Sequence, residues 1–149
     1  MEATVAPGIN IFSGEQGLGA ALTNPTELAK RKGMLTASFA IVFDGKRYPD
    51  VETAYHLLAN KPDMPATDTL MAELIACKFR QHPSLANEVA SKGGAAWLRR
   101  CNHLTGARSD SAQSWEGHGL ASRFIRNLAL GYEMSQAPEV IENNQHQLF

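Results

Sequence analysis

The chain has 149 residues, 44% hydrophobic and 19% charged, with a formal net charge of -1. Those values fit an ordinary globular chain, long enough to bury one core without help from a metal or a disulfide. Near-neutral charge argues against a general polyanion binder, and no stretch approaches the roughly 18 apolar residues of a membrane-spanning helix.

Residues 1–8 carry no pattern and are expected to be flexible, ahead of a domain over 9–137. No signal-peptide pattern is visible, so the chain reads as soluble and cytoplasmic. Ile9–Phe12 predicts a short strand, followed by a glycine-rich loop to Gly19. Around the next segment the boundary signals predict a short helix. Asn24 suits the N-cap, Pro25 the first turn, Glu27 the capping-box position and Gly33 the stop. Lys30, Arg31 and Lys32 fall in its last turn, at the negative end of the macrodipole.

Ser38 to Phe43 is apolar on both alternating faces and predicts a well-buried strand. Asp44-Gly45 is a type I′ turn signal, returning the chain through Lys46–Tyr48. Pro49-Asp50 stops that strand and starts a helix with Val51, Ala54, Tyr55 and Leu58 on one face. Residues 60–67 read as a loop. A long helix over 68–81 carries Leu70, Met71, Leu74, Ile75, Lys78 and Phe79; His82-Pro83 ends it. A further helix over 84–91 stops at Gly93-Gly94, residues 95–104 are ambiguous, and 105–119 read as a polar loop. Leu120, Phe124, Ile125, Leu128 and Tyr132 define a last amphipathic helix, and a polar tail runs from Pro138. Helices around a few short strands, in non-alternating order, predict a single compact α+β domain.

Common catalytic motifs are missing. Gly17-Leu18-Gly19-Ala20-Ala21-Leu22 has the wrong last residue and no βαβ context for a dinucleotide site. The five histidines lack zinc spacing, so no metal is expected, and Cys77 reads as a buried free thiol. Three features remain. Glu52 opens a helix beside its apolar face, where a carboxylate either answers the macrodipole or does acid–base work. Lys78 is in phase with Leu70 and Leu74, so it either snorkels or points a cation into a pocket. Trp115-Glu116-Gly117-His118-Gly119 either stacks on a planar ring and offers backbone N–H groups, or plugs the core edge. Ser122 and Arg123, just after it, are suited to a phosphate.

The order of these pieces carries a resemblance. Gly45-Lys46-Arg47-Tyr48-Pro49-Asp50-Val51-Glu52-Thr53-Ala54-Tyr55, then Lys78-Phe79-Arg80-Gln81-His82-Pro83, then Trp115-Glu116-Gly117-His118-Gly119, resembles the NADAR family (NAD- and ADP-ribose-associated, YbiA-like) over residues 9–133. Leu22-Thr23-Asn24 is similar to its N-terminal hydrophobic-Ser-Asn element. The resemblance implies an α+β fold that cleaves N-glycosidic bonds. Its substrates would be phosphorylated ribosylamino intermediates of riboflavin synthesis or ADP-ribose on guanine, including guanine within nucleic acid. It makes Glu52 the catalytic residue, puts Trp115, Glu116, Gly117 and Gly119 in the ligand loop, and assigns Asn24 and Lys78 to the pocket. No cofactor is required. The chain departs from the family at Ala112, where an aspartate is usual, at Ala59, where a basic residue is usual, and across 63–68, which lack a tryptophan. A non-catalytic ADP-ribose or nucleotide sensor is the alternative. A third reading is a structural domain in which Glu52 only starts a helix.

Overall fold

The structure, a computed structural model, describes residues 5–61, 64–65, 67–106, 109 and 113–137. Position 112 and the tail from 138 lie outside the described residues. The fold is α+β, with helices α1 (Leu18–Ala21), α2 (Thr26–Arg31), α3 (Val51–Leu58), α4 (Asp68–Gln81), α5 (Pro83–Lys92), α6 (Ala95–Leu98) and α7 (Arg123–Gln136). Among the described residues there are also three two-stranded antiparallel ladders: β1 (Ile41–Phe43) with β2 (Lys46–Tyr48), β3 (Asn60–Lys61) with β4 (Met64–Pro65), and β5 (Asn102–His103) with β6 (Gly117–His118). No helix among the described residues is long and apolar enough to cross a membrane.

The core forms where α4 packs against α7. Leu70, Met71, Leu74, Ile75 and Phe79 of α4 are buried against Phe124, Ile125, Leu128, Ala129 and Tyr132 of α7. Phe79 meets Tyr132 edge-on with centroids 5.2 Å apart. Close approach depends on Gly131, where an added Cβ would stand 2.6 Å from Ile75 Cγ2. Thr67 caps α4 by accepting the Leu70 amide at 2.9 Å, so both predicted ends of this helix match the structure. Val5 to Gly8 are tied down: Ala6 N donates to Lys92 O, and fully buried Trp97 donates Nε1–H to Pro7 O at 2.8 Å.

The β1–β2 hairpin turns at Asp44 (φ 53) and Gly45 (φ 79), the paired positive φ of a type I′ turn. The expectation of burial on both faces is not met. Ile41 is buried but Val42 is 49% exposed, because among the described residues no element covers the outer face of so short a ladder. The free edge of β1 is closed by a side chain instead: Gln81 Oε1 accepts from Val42 N at 2.7 Å and Nε2 donates to Val42 O at 2.8 Å. His82 adds a bond to Ala40 O at 2.6 Å, so Gln81 and His82 of the Lys-Phe-Arg-Gln-His element stitch the end of α4 to the strand.

Other expectations are corrected. Ile9–Phe12 forms one parallel bridge, Asn10 with Asn102, rather than a strand. Leu120 belongs to a 3-10 turn (Gly119–Ala121) and is exposed, since α7 begins three residues later. Asn24 does not cap α2. Its backbone carbonyl accepts from Thr26, and the helix amide at Glu27 is instead taken at 3.0 Å by Asp50 Oδ2. Asp50 Oδ1 also accepts from Thr53 N at 2.8 Å, so one buried carboxylate serves the starts of both α2 and α3.

Candidate functional site

That double cap fixes where Glu52 points. α3 leaves β2 directly, its buried face of Val51, Ala54 and Leu58 lies on the core, and Glu52 stands at the margin in the first turn. The margin opens into a cavity of about 210 Å³, lined by Phe12, Ser13, Thr23, Asn24, Pro25, Glu52, Tyr55, His56, Met71, His103, Thr105, Trp115 and Phe124. Glu52 and Trp115 therefore share one cavity with Asn24. Aromatic rings form much of the wall, while the carboxylate supplies its formal negative charge. Ordinary small-molecule sites run from about 300 Å³ upward, so this space holds one ring system or one sugar rather than a whole dinucleotide.

Glu52 is 39% exposed at its side chain, and its Oε2 lies 2.8 Å from His56 Nε2 one helical turn on. Asn24 is nearly buried; its Nδ2 reaches Met71 Sδ at 3.2 Å, and its Oδ1 is buried without a hydrogen-bond partner among the described residues. Trp115 is half-buried and braced on two sides. Tyr55 meets it edge-on at 5.9 Å, and the Arg123 guanidinium lies 3.9 Å from its centroid. Arg123 is in turn held by Asp68, Nε to Oδ1 at 2.6 Å. Bonds from Asn127 and Arg123 hold the Asp68 carboxyl below the usual aspartate range.

The loop residues support the wall more than they enter the cavity. Ser122 is fully buried, caps α7 by accepting from Ile125 N at 3.1 Å, and donates to Trp115 O at 2.6 Å. Gly117 has φ 153, and an added Cβ would come within 2.9 Å of Ser122 N, so only glycine fits beneath the turn. Gly119 N donates to Cys101 O at 2.9 Å, closing the loop on the chain after α6. Glu116 accepts from both the amide and the hydroxyl of Thr105. Gly117, Gly119, Ser122, Glu116 and Arg123 thus position Trp115 and Thr105, and none of the five lines the cavity.

Lys78 neither snorkels nor enters the cavity. It is 2% exposed, donates Nζ–H to Thr23 O at 2.8 Å, and lies 5.4 Å from the Phe39 centroid. Burial pulls its pKa down to about 7, against the pull of Asp50. Because Thr23 lines the cavity, Lys78 acts on the site by holding that wall from behind. Lys78, read as a possible pocket cation, and Arg123, read as suited to a phosphate, are both committed elsewhere.

His103 is a cavity-lining residue that motif reasoning passed over. It reaches the cavity from β5, with Nδ1 2.7 Å from Ile11 O and its ring 4.6 Å from Phe124. A test for zinc spacing asks only about one role of histidine. The register His103↔Gly117, which sets it opposite the Trp115 loop, is a tertiary fact. Together the fold and site define an α+β domain with an aromatic-walled cavity bearing one carboxylate and two imidazoles, those of His56 and His103. No family model matches the chain, and no significant match was found among curated proteins or solved structures.

Proposed function

We propose that the protein is a hydrolase cleaving the N-glycosidic bond of a phosphorylated ribosyl compound or an ADP-ribosyl group, ADP-ribosylated guanine included. Glu52 is the general base and oxocarbenium stabiliser. The observation that carries this reading is the shared cavity of Glu52 and Trp115. Breaking a ribosyl C–N bond builds positive charge on the sugar, which a carboxylate stabilises, while an indole suits the flat departing base. The cavity volume admits the sugar or the base, leaving the phosphate-bearing remainder at the mouth. The ordered resemblance to the NADAR family supports the same chemistry, and with it a NADAR-like fold and a cytoplasmic setting.

The test is release of free base from a panel containing ADP-ribosylated guanine and a ribosylaminopyrimidine phosphate. Glu52→Gln is expected to lower kcat by about 100-fold or more with folding intact, the scale of a lost acid–base group. Tight binding by wild-type protein without turnover would instead establish the nucleotide-sensor reading. Neither binding nor turnover on any ribosyl phosphate would overturn both.

A further inference from the structure

We infer that His103 is the second proton-handling group of this cavity, its Nε2 taking the proton of the attacking water while Glu52 faces the developing sugar cation. The inference rests on the N-glycosidase reading above and moves its general-base role from Glu52 to His103, leaving Glu52 as the oxocarbenium stabiliser.

The geometry leaves one nitrogen for the task. Ile11 O, a carbonyl, only accepts, so His103 Nδ1 at 2.7 Å carries the ring proton and Nε2 keeps its lone pair. Phe124 packs on the ring at 4.6 Å, so bond and contact together fix its plane. Glu52 already has an oxygen engaged by His56 at 2.8 Å, which leaves water activation open to a second group. Glu52 from α3 and Glu116 from the loop before β6 both act electrostatically on His103. Those charges, with the Ile11 carbonyl, favour the imidazolium that forms when Nε2 accepts a proton. Burial outweighs them and holds the pKa below its ordinary value, so the resting ring is neutral at pH 7, the form a base requires.

In the step itself, the water oxygen bonds to the anomeric carbon as the C–N bond breaks and its electron pair leaves on nitrogen. The water proton passes to His103 Nε2 and then to the departing nitrogen, regenerating the neutral ring. Water is the only co-reactant.

His103→Asn separates support from chemistry, because the asparagine amide can replace Nδ1–H on Ile11 O while deleting Nε2. With the substrate panel above, wild-type kcat/KM is expected to fall on the acid side with a midpoint below about 6.5. His103→Asn should lower kcat by about 100-fold, leave KM within about threefold, and abolish that limb. A variant that keeps the wild-type rate and pH profile would overturn the role of His103 alone. Failure of the wild-type protein to turn over any member of the panel would overturn the parent reading with it. An NMR titration of the His103 ring, which needs neither the variant nor a substrate, is expected to give a midpoint below 6.5. That midpoint should drop further in Glu52→Gln, and one unmoved by that change would refute the coupling on which the proposal stands.

Discussion

Lys78 sits among apolar side chains with Thr23 O as its hydrogen-bond acceptor, and its low pKa makes stability depend on pH. Between about 7 and its ordinary 10.5 the unfolded chain holds a proton that the folded chain has released, so stability rises with pH across that window. Below about 7 both states are charged and the burial cost is fully present. Burial raises the thiols of Cys77 and Cys101 above 9.0, which reverses the slope at higher pH, because the unfolded thiols ionise first. Urea midpoints are therefore expected to climb from pH 7 to about 8.5 in the wild type and to stay flat in Lys78→Met. Helical phase alone placed Lys78 correctly on the apolar face. Phase could not say what the ammonium meets there, since Thr23 and Phe39 come from distant segments.

At the scale of elements, α3 and α4 were legible because their signals are local: a capping residue, a periodic face and a terminating Pro or turn. Asp50 starts α3 as read, and Thr67, read as the last residue of a loop, caps α4. The start of α2 was misread for the complementary reason. Asn24 before Pro25 has the local form of a cap, yet the acceptor for Glu27 N comes from Asp50, 23 positions away. Asp50→Ala removes two helix starts at once and is expected to cost about 2–3 kcal/mol in chemical denaturation, above the ~1 kcal/mol of an ordinary cap. A loss confined to the single-cap value would show that α2 does not depend on it. The outer face of β1 was misread because alternation reports which residues are apolar, while burial depends on whether another layer arrives.

On the scale of the whole molecule, the cavity is assembled from stretches scattered from Phe12 to Phe124. Sequence reading found Glu52, Asn24 and Trp115 because they stand in motif-like company. It missed His103 because only the β5–β6 register brings that residue to the others. The same long-range assembly depends on the α4–α7 contact. Gly131→Ala would gain roughly 1 kcal/mol of helix propensity but force a Cβ against Ile75 and Ala72 O, an overpacking of about 1–3 kcal/mol. A net loss of stability, read as a lowered Tm, is expected; a raised Tm would mean the two helices can separate without cost.

The two tryptophans stand at different depths, and this gives the protein a pair of optical reporters. Trp97 is fully enclosed, so its emission should be blue-shifted, resistant to iodide quenching and changed only by unfolding. Trp115, in the cavity wall beneath a guanidinium, should be quenched by iodide in the empty protein and protected when a ring enters. Ligand-dependent protection that disappears in Trp115→Phe would locate binding at this wall without any assay of turnover, so the cavity can be screened against unlabelled compounds by light alone.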